Sequence, residues 1–235
     1  MNLTILDRNN APRGIGTIFR RSRPGPEQRL VYSFLEDLQV SGPRGCNATV
    51  FCEPQIESGF PDVVIVVWNA AIARKWNPER ARLKREDFRL VQYLLHSGPL
   101  TYTEITRRLA RKVSSQLDRL EEANLLFCTG ETWNSRPLSQ SFAARHIIAI
   151  EAKISAWTKA IRQAFQNTWF ASESLVLLPD AIRIKPARSA ARKLGVNVCS
   201  PRTQLCYDRP AASRCLPRSY ASWLFNEWAW RNTLL

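Results

Sequence analysis

The sequence lacks the residue patterns that mark several common classes of protein. Its two histidines lie far apart and its six cysteines include no C-x-x-C pair, whereas the ligands of a structural zinc site come in closely spaced pairs. No stretch reaches the roughly 18 to 20 apolar residues that a membrane span needs. The first residues, MNLTILDRNNAPRG, contain no continuous apolar core, so we expect no secretory signal. We therefore expect a cytoplasmic protein with reduced cysteines, no structural zinc and no membrane span.

Positive charge is the largest compositional signal. The 235 residues include 34 Lys and Arg against 20 Asp and Glu, a net charge of +14. A surface of this kind attracts polyanions, of which nucleic acid is the most common, and the planar fork of Arg binds two phosphate oxygens at once. The alternative is a basic protein without a specific partner. The 45% share of apolar residues indicates a folded chain in either case.

Apolar periodicity predicts an α/β core in residues 26–71 and 144–200. A helical pattern begins at Pro26, and two strand patterns follow, NATVFCEPQI and PDVVIVVW. After residue 144, the runs RHIIAIEAK, SAWTKAIRQAFQNTWF, ESLVLLP and GVNVCS predict strand, helix, strand and strand, with a basic helix after Pro186 before the last strand. The pattern therefore predicts a central sheet covered by helices.

The two ends of the chain have a different composition from this core. Residues 1–25 end in RRSRPG, which predicts a flexible basic arm. Residues 201–235 are predicted to form a Pro- and Arg-rich tail that closes with an aromatic helix, SYASWLFNEWAW. Tryptophans in such a helix are more typical of a core or a dimer contact than of a platform for stacking bases.

Residues 72–143 interrupt the core pattern. FRLVQYLLHSG, TYTEITRRLA and RKVSSQLDRLEEANLL predict three helices, and GETWNSRPLSQ is rich in turn residues. This order resembles a winged helix-turn-helix module with the last segment as its wing. In such a module the recognition helix, here the third helix, and the segment before it contact phosphates and base edges. The corresponding residues are Arg107, Arg108, Arg111, Lys112, Ser114, Ser115 and Arg119. The alternative is a module that packs on the core or binds another protein.

Charged residues mark the ends of two predicted strands. Asp62 precedes an apolar run, and the segment Glu151-Ala152-Lys153 ends another. Because residues i and i+2 of a strand point to the same face, Glu151 and Lys153 project together while Ala152 faces the core. If the two strands are neighbours, Asp62 joins them. Two carboxylates and an ammonium there would form an open site for a hard divalent cation and its waters. A site of this kind can catalyse the hydrolysis of phosphodiesters.

This arrangement resembles the PD-(D/E)xK, or restriction-endonuclease-like, nuclease superfamily. The resemblance is carried by PD at 61–62, EAK at 151–153, Glu27 on the preceding helix, and the runs AIRQ, SLVLLP and GVNV. It implies a mixed central sheet flanked by helices, and Mg2+, with Mn2+ as a substitute, held by Asp62 and Glu151. The catalytic residues that it implies are Asp62, Glu151, Lys153, Glu27 and Gln163.

The spacing of the motif departs from the superfamily pattern. A hairpin joins the two motif strands in that family, whereas 88 residues lie between Asp62 and Glu151 here. We therefore expect residues 72–143 to be a winged-helix insertion between the second and third core strands.

Structural interpretations of several candidate residues remain open. Asp62 could cap the start of a strand, and Glu27 and Gln163 could face solvent or pack. Three polar residues upstream of Asp62 could support the site or lie at its edge: Glu53, Gln55 and Glu57.

These patterns predict a Mg2+-dependent DNA endonuclease whose insertion binds DNA. The chain has no Walker-type G-x-x-x-x-G-K motif, so we expect it to work with protein partners or as a homodimer, without a small-molecule cofactor or a membrane. Defence, mobile-element or DNA-processing systems are settings suggested by analogy with the superfamily. The alternative is a non-catalytic DNA-binding regulator, or a DNA-positioning subunit, built on a nuclease-like scaffold.

Overall fold

A computed structural model describes residues 1–180, 184–206 and 216–234. The strands are β1 (Leu3–Leu6), β2 (Val40–Ser41), β3 (Cys46–Cys52), β4 (Val63–Asn69), β5 (Leu100–Thr101), β6 (Leu126–Thr129), β7 (Thr132–Ser135), β8 (Ala144–Ala152), β9 (Glu173–Leu177), β10 (Asn197–Cys199) and β11 (Leu205–Cys206). The helices are α1 (Pro26–Glu36), α2 (Ala70–Ala73), α3 (Arg85–Ser97), α4 (Tyr102–Leu109), α5 (Ser114–Glu122), α6 (Leu138–Ser141), α7 (Trp157–Asn167), α8 (Ile184–Arg192) and α9 (Tyr220–Arg231), and a 3-10 helix covers Pro78–Arg82.

Six of these strands form one mixed sheet in the order β1-β3-β4-β8-β9-β10. β3, β4 and β8 run antiparallel to their neighbours within this group, whereas β1 is parallel to β3, and β8, β9 and β10 are mutually parallel. The apolar run Val63–Val67 of β4 is fully buried because both faces of this central strand are covered. The predicted α/β class, with a mixed central sheet flanked by helices, is confirmed.

Helices cover the two faces of the sheet. Leu30 and Phe34 of α1 pack against one face of β4, next to Val63 and Ile65. The opposite face is covered by α7 and α8 on the β9 side and by α9 on the β4 side. Pro at the start of α1 and apolar residues at three- and four-residue spacing explain why this segment is helical and which face it buries.

The aromatic helix α9 belongs to the core. Trp223, Trp228 and Trp230 are each at most 4% exposed, and the ring of Phe225 stacks on that of Phe170 with centroids 5.2 Å apart. The packing of α9 against α3, β4 and β8 confirms the core interpretation of the tryptophans over the base-stacking one.

A long connection leaves β4 and returns to β8. Trp68 pairs with Ala144 in the sheet, and the Asn69 N–H donates to the carbonyl of Ala143 at 2.9 Å. Between these points the chain forms α3, α4 and α5 and a small sheet in the order β5-β7-β6. The apolar core of the connection is continuous with the core under α9, so the two parts of the chain are stabilised together.

A buried ion pair joins this connection to α9. Arg80 and Glu227 are both at most 1% exposed, and the Arg80 Nε donates to Glu227 Oε2 at 2.8 Å. The side chain of Asn226 accepts from the backbone N–H groups of Ala143 and Ala144, each at 2.9 Å. α9 therefore holds both the start of the connection and its return to β8.

The N-terminal segment differs from the predicted flexible arm. β1 pairs in parallel with β3 as an edge strand of the main sheet, and Leu6, Ile15 and Phe19 are buried. These apolar side chains are widely spaced among Arg, Pro and Gly, so no periodic pattern revealed them. Residues 1–25 contribute instead to the sheet and its core.

The cysteine side chains that the structure describes form no disulfide bond. Cys46, Cys52, Cys128 and Cys199 are free thiols, and the side chain of Cys206 and all of Cys215 lie outside the described residues. Within the described part of the chain, every helix is too short or too polar to cross a membrane.

Candidate active site

The ends of β4 and β8 bring the predicted motif residues together. Val63 pairs with Ile150, which places Asp62 beside the end of β8. The Ala152 N–H donates to Asp62 Oδ2 at 2.8 Å, so the carboxylate spans the two strands. Ala152 is fully buried on the α1 face, as predicted.

Lys153 meets Glu27 at the same end of the sheet. The ammonium of Lys153 lies 2.8 Å from Glu27 Oε2, and the side chains are 16% and 51% exposed. Glu27 is in the first turn of α1, and that helix packs over β8. The sequence left open whether Glu27 faces solvent or the site; it is half exposed and still contacts Lys153.

Glu151 is the most enclosed carboxylate of the site. It is 5% exposed, and its Oε1 accepts from the side-chain amide of Asn167 at 2.7 Å. Burial, and secondarily the charge of Asp62, raise its pKa to about 8. Asn167 was missed at the sequence level, although it follows Ala160 and Ala164 at helical spacing on the buried face of α7.

The Asp62 carboxyl also resists ionisation. Burial raises its pKa above the usual value, while the Ala152 N–H and the Lys153 charge oppose that rise. Two buried carboxylates that disfavour each other's charge are stabilised when a cation or a proton comes between them. The electrostatics of the pair thus favour either a retained proton or a bound cation.

Arg20 and Glu53 extend the site on the Asp62 side. The guanidinium of Arg20 forms an ion pair with Glu53, lies 3.8 Å from Asp62 Oδ1 and sits over the ring of Phe60 at 5.3 Å from its centroid. Glu53 has a φ of 53°, a left-handed conformation that is uncommon for Glu, and its N–H donates to the Asp62 carbonyl at 2.9 Å. Sequence reasoning missed Arg20 because its segment was assigned to an arm.

The other polar residues upstream of Asp62 point elsewhere. Glu57 forms ion pairs with Arg85 and Arg89 of α3. Gln55 is exposed, and its backbone N–H donates to the carbonyl of Ile18 at 2.8 Å. Of the three candidates, Glu53 is the one in contact with the residues around Asp62.

A cavity of about 310 Å³ opens at this end of the sheet. It lies between the N-terminal segment, α1 and the ends of β3 and β8, and its lining includes Arg20, Arg23, Glu27, Glu53 and Asp62. Cations and carboxylates therefore share one opening. Glu27 and Asp62 line it, whereas Glu151 and Lys153 are not among its lining residues.

The donor set fits Mg2+ held mainly by water. In residues 1–180, 184–206 and 216–234, no group of three or more His, Cys, Asp or Glu side chains could by itself hold a metal ion. Asp62 and Glu151 supply two carboxylates, and an N–H donor engages one of the two oxygens on each. Mg2+ commonly takes only one or two carboxylates and keeps several waters.

Gln163 is not part of this contact network. It lies on α7, and its Oε1 is buried without a hydrogen-bond partner among the described residues. The residue of α7 that contacts the motif is Asn167, one helical turn further along.

The residues predicted to bind DNA divide into two groups. Six of them are exposed: Arg107, Arg108, Arg111, Lys112, Ser114 and Ser115. Arg119 differs, because its guanidinium lies 2.7 Å from the fully buried carboxylate of Asp87 and links α5 to α3. Arg119 is therefore a packing contact, a pairing between helices that sequence spacing does not reveal.

No protein-family model, no curated protein and no solved structure matches this chain. The geometry of the site is thus the basis for a functional proposal.

Proposed function

We propose that this protein is a Mg2+-dependent DNA endonuclease that hydrolyses phosphodiester bonds. The observation that carries the proposal is the meeting of Asp62, Glu151 and Lys153 at the ends of two adjacent strands, although 88 residues lie between the first two. Two carboxylates of raised pKa near an ammonium, of which Asp62 lines an open cavity, form a setting for metal-assisted hydrolysis.

Each side chain has a distinct role in this proposal. Asp62 and Glu151 would hold Mg2+, or Mn2+ in its place, and the ion would supply charge neutralisation at the phosphate and an acidified water. Lys153 orients the attacking water and stabilises the charge that develops on the phosphate. Glu27 positions the Lys153 ammonium, and Arg20 binds a phosphate oxygen at the mouth of the cavity.

The order of elements between β4 and β8 supports the proposal of a winged-helix insertion. This order, α3-β5-α4-α5-β6-β7 with a three-stranded sheet, is the order of a winged helix-turn-helix module. We propose that this segment is such an insertion in a restriction-endonuclease-like core. Arg107, Arg108, Arg111 and Lys112 of this module are exposed and offer one surface for DNA phosphates.

The second candidate is a DNA-binding or DNA-positioning subunit without activity of its own. It is favoured by the exposed basic residues Arg107, Arg108, Arg111 and Lys112, which would bind DNA whether or not the carboxylates cut it. The first proposal also includes the setting of the enzyme. We propose that it acts with protein partners or as a homodimer, in a cytoplasmic defence, mobile-element or DNA-processing system.

Incubation of supercoiled plasmid with purified protein separates these candidates. The nuclease proposal predicts nicked or linear product with Mg2+ and with Mn2+, and none with EDTA. Plasmid that stays intact in both metals while the protein binds it would favour the second candidate.

A further inference from the structure

Helices α7 and α8 form a continuous layer on one face of the sheet. Ala160 and Ala164 of α7 pack with Ala187 and Ala191 of α8 over the apolar residues of β9. Because small side chains occupy the buried faces, the long side chains of both helices project outward. The exposed surface of the layer is therefore defined by the residues opposite these alanines.

That exposed surface is basic. Its exposed cations are Lys159, Arg162, Lys185, Arg188, Arg192 and Lys193. The sequence contains no Asp or Glu in residues 154–172 or 184–206, and no ion pair within the described part of the chain engages these six side chains. An external anion would relieve their mutual repulsion.

The cations of α8 line a shallow depression. Lys185, Arg188, Ser189, Arg192 and Lys193 surround a volume of about 460 Å³. From Lys185 to Lys193 a helix rises about 12 Å, a length over which duplex DNA carries roughly seven phosphate charges. About half of these charges, three or four, belong to the strand that faces the helix, and the four cations Lys185, Arg188, Arg192 and Lys193 match them in sign and number.

Helix α5 makes a poorer phosphate surface than α8. Exposed Asp118, Glu121 and Glu122 lie on α5, and the Arg119 guanidinium is bound to Asp87. α7, in contrast, carries Asn167, whose side-chain amide donates to Glu151 at 2.7 Å, so the α7–α8 layer contacts the candidate active site.

We propose that the basic surface of α7 and α8 binds the sugar–phosphate backbone of the DNA duplex next to the bond to be cut. The proposal rests on the nuclease function and names the surface that holds its substrate. An anionic membrane fits less well, because the apolar residues Ala187 and Ala191 of α8 are buried against α7 and the sheet. A membrane-surface helix needs such a face free for the lipid.

Binding of a short fluorescein-labelled DNA duplex in EDTA tests the proposal without cleavage. We expect Lys185→Gln/Arg188→Gln/Arg192→Gln to weaken binding at least tenfold. The slope of log affinity against log salt should fall by about 2.7, since three phosphate contacts are lost. Arg188→Glu, a single exposed change, should weaken binding in the same direction.

A charge-matched comparison uses Arg107→Gln/Arg111→Gln/Lys112→Gln, which should cause a smaller loss. DNA affinity within twofold of wild type for both α8 variants would overturn the proposal, as would α8-dependent binding to phosphatidylserine vesicles but not to DNA. If the α8 variants lose DNA binding while wild-type protein leaves plasmid intact in Mg2+, the binding surface stands and the nuclease proposal fails. If wild-type protein cuts plasmid and both α8 variants bind DNA normally, the nuclease proposal stands and the proposed binding surface fails.

Discussion

The ammonium of Lys153, just after β8, lies 2.8 Å from the carboxylate of Glu27 in the first turn of α1. The helix dipole favours an acidic residue at that position, so Glu27 is stabilised where it meets Lys153. A pair with one half-exposed partner adds little to stability. Its consequence is geometric: it fixes the position of the ammonium beside Glu27, which lines the cavity.

Glu27→Gln should therefore slow cleavage without disturbing the fold. The amide keeps the shape of the side chain but loses the charge that positions Lys153, and we expect a fall in kcat of about tenfold with unchanged affinity for Mn2+. Glu36→Gln is the control, because Glu36 is exposed at the other end of α1. Equal cleavage rates for the two variants would show that Glu27 has no positioning role.

Ionisation of Glu151 should make the metal-free protein less stable as pH rises. Its pKa is 4.5 ordinarily and about 8 in the fold, so between these values the native state keeps a proton that the unfolded state releases. The free energy of unfolding therefore falls over that interval. In EDTA at pH 8, Glu151→Gln should be more stable than wild type by about 2 to 4 kcal/mol, because a pKa difference of one corresponds to about 1.4 kcal/mol.

Urea unfolding at pH 4.5 and pH 8 measures this difference, which should nearly vanish at the lower pH. The same Glu36→Gln variant serves as the reference for loss of an exposed charge. A Glu151→Gln protein that is no more stable than wild type at pH 8 would mean that the carboxyl is not destabilised by burial.

Most of the candidate site was predicted from local sequence patterns, the apolar runs and the alternation of residues along the two motif strands. The apolar run after Asp62 and the run that ends at Glu151 are long enough to specify central strands, and strand alternation places Glu151 and Ala152 on opposite faces. Both features are local, so the sequence predicted them. The helix that carries Glu27 followed from its own periodicity.

Contacts that depend on tertiary packing were not accessible in this way. Asn167 reaches Glu151 only because α7 crosses over β8, and Arg119 is held by Asp87 of another helix. Arg20 lies in a segment rich in Arg, Pro and Gly, a composition also typical of unstructured arms. Its neighbour Phe19 is buried beside Phe51, and this anchors the segment at the site.

Arg20 should contribute to the chemical step through the phosphate. Loss of one preorganised cation at a developing charge costs about a hundredfold, so Arg20→Ala should lower kcat by roughly that factor. Arg20→Lys should restore part of the rate, since it keeps the charge but loses the planar fork. Arg21→Ala, at the exposed neighbouring position, should leave kcat unchanged; a loss confined to KM would assign Arg20 to general DNA attraction.

The Arg80–Glu227 pair should contribute strongly to the stability of the whole chain. Removal of one partner leaves a buried charge without compensation, at a cost of about 3 to 5 kcal/mol. Glu227→Ala should lower the free energy of unfolding by that amount, whereas Glu86→Gln, in an exposed pair with Arg89, should change it by less than about 1 kcal/mol. Comparable effects of both changes in urea titrations would contradict the role of α9 in joining the connection to the sheet.

The central claim is that Asp62, Glu151 and Lys153 act as one catalytic centre. Single-turnover cleavage of labelled duplex DNA in Mg2+, by wild type and by Asp62→Asn, Glu151→Gln and Lys153→Met, tests it most directly. We predict that each substitution lowers the rate by about a thousandfold or more, while DNA affinity in EDTA stays within twofold of wild type. Cleavage by any one variant at a rate within tenfold of wild type would contradict the account.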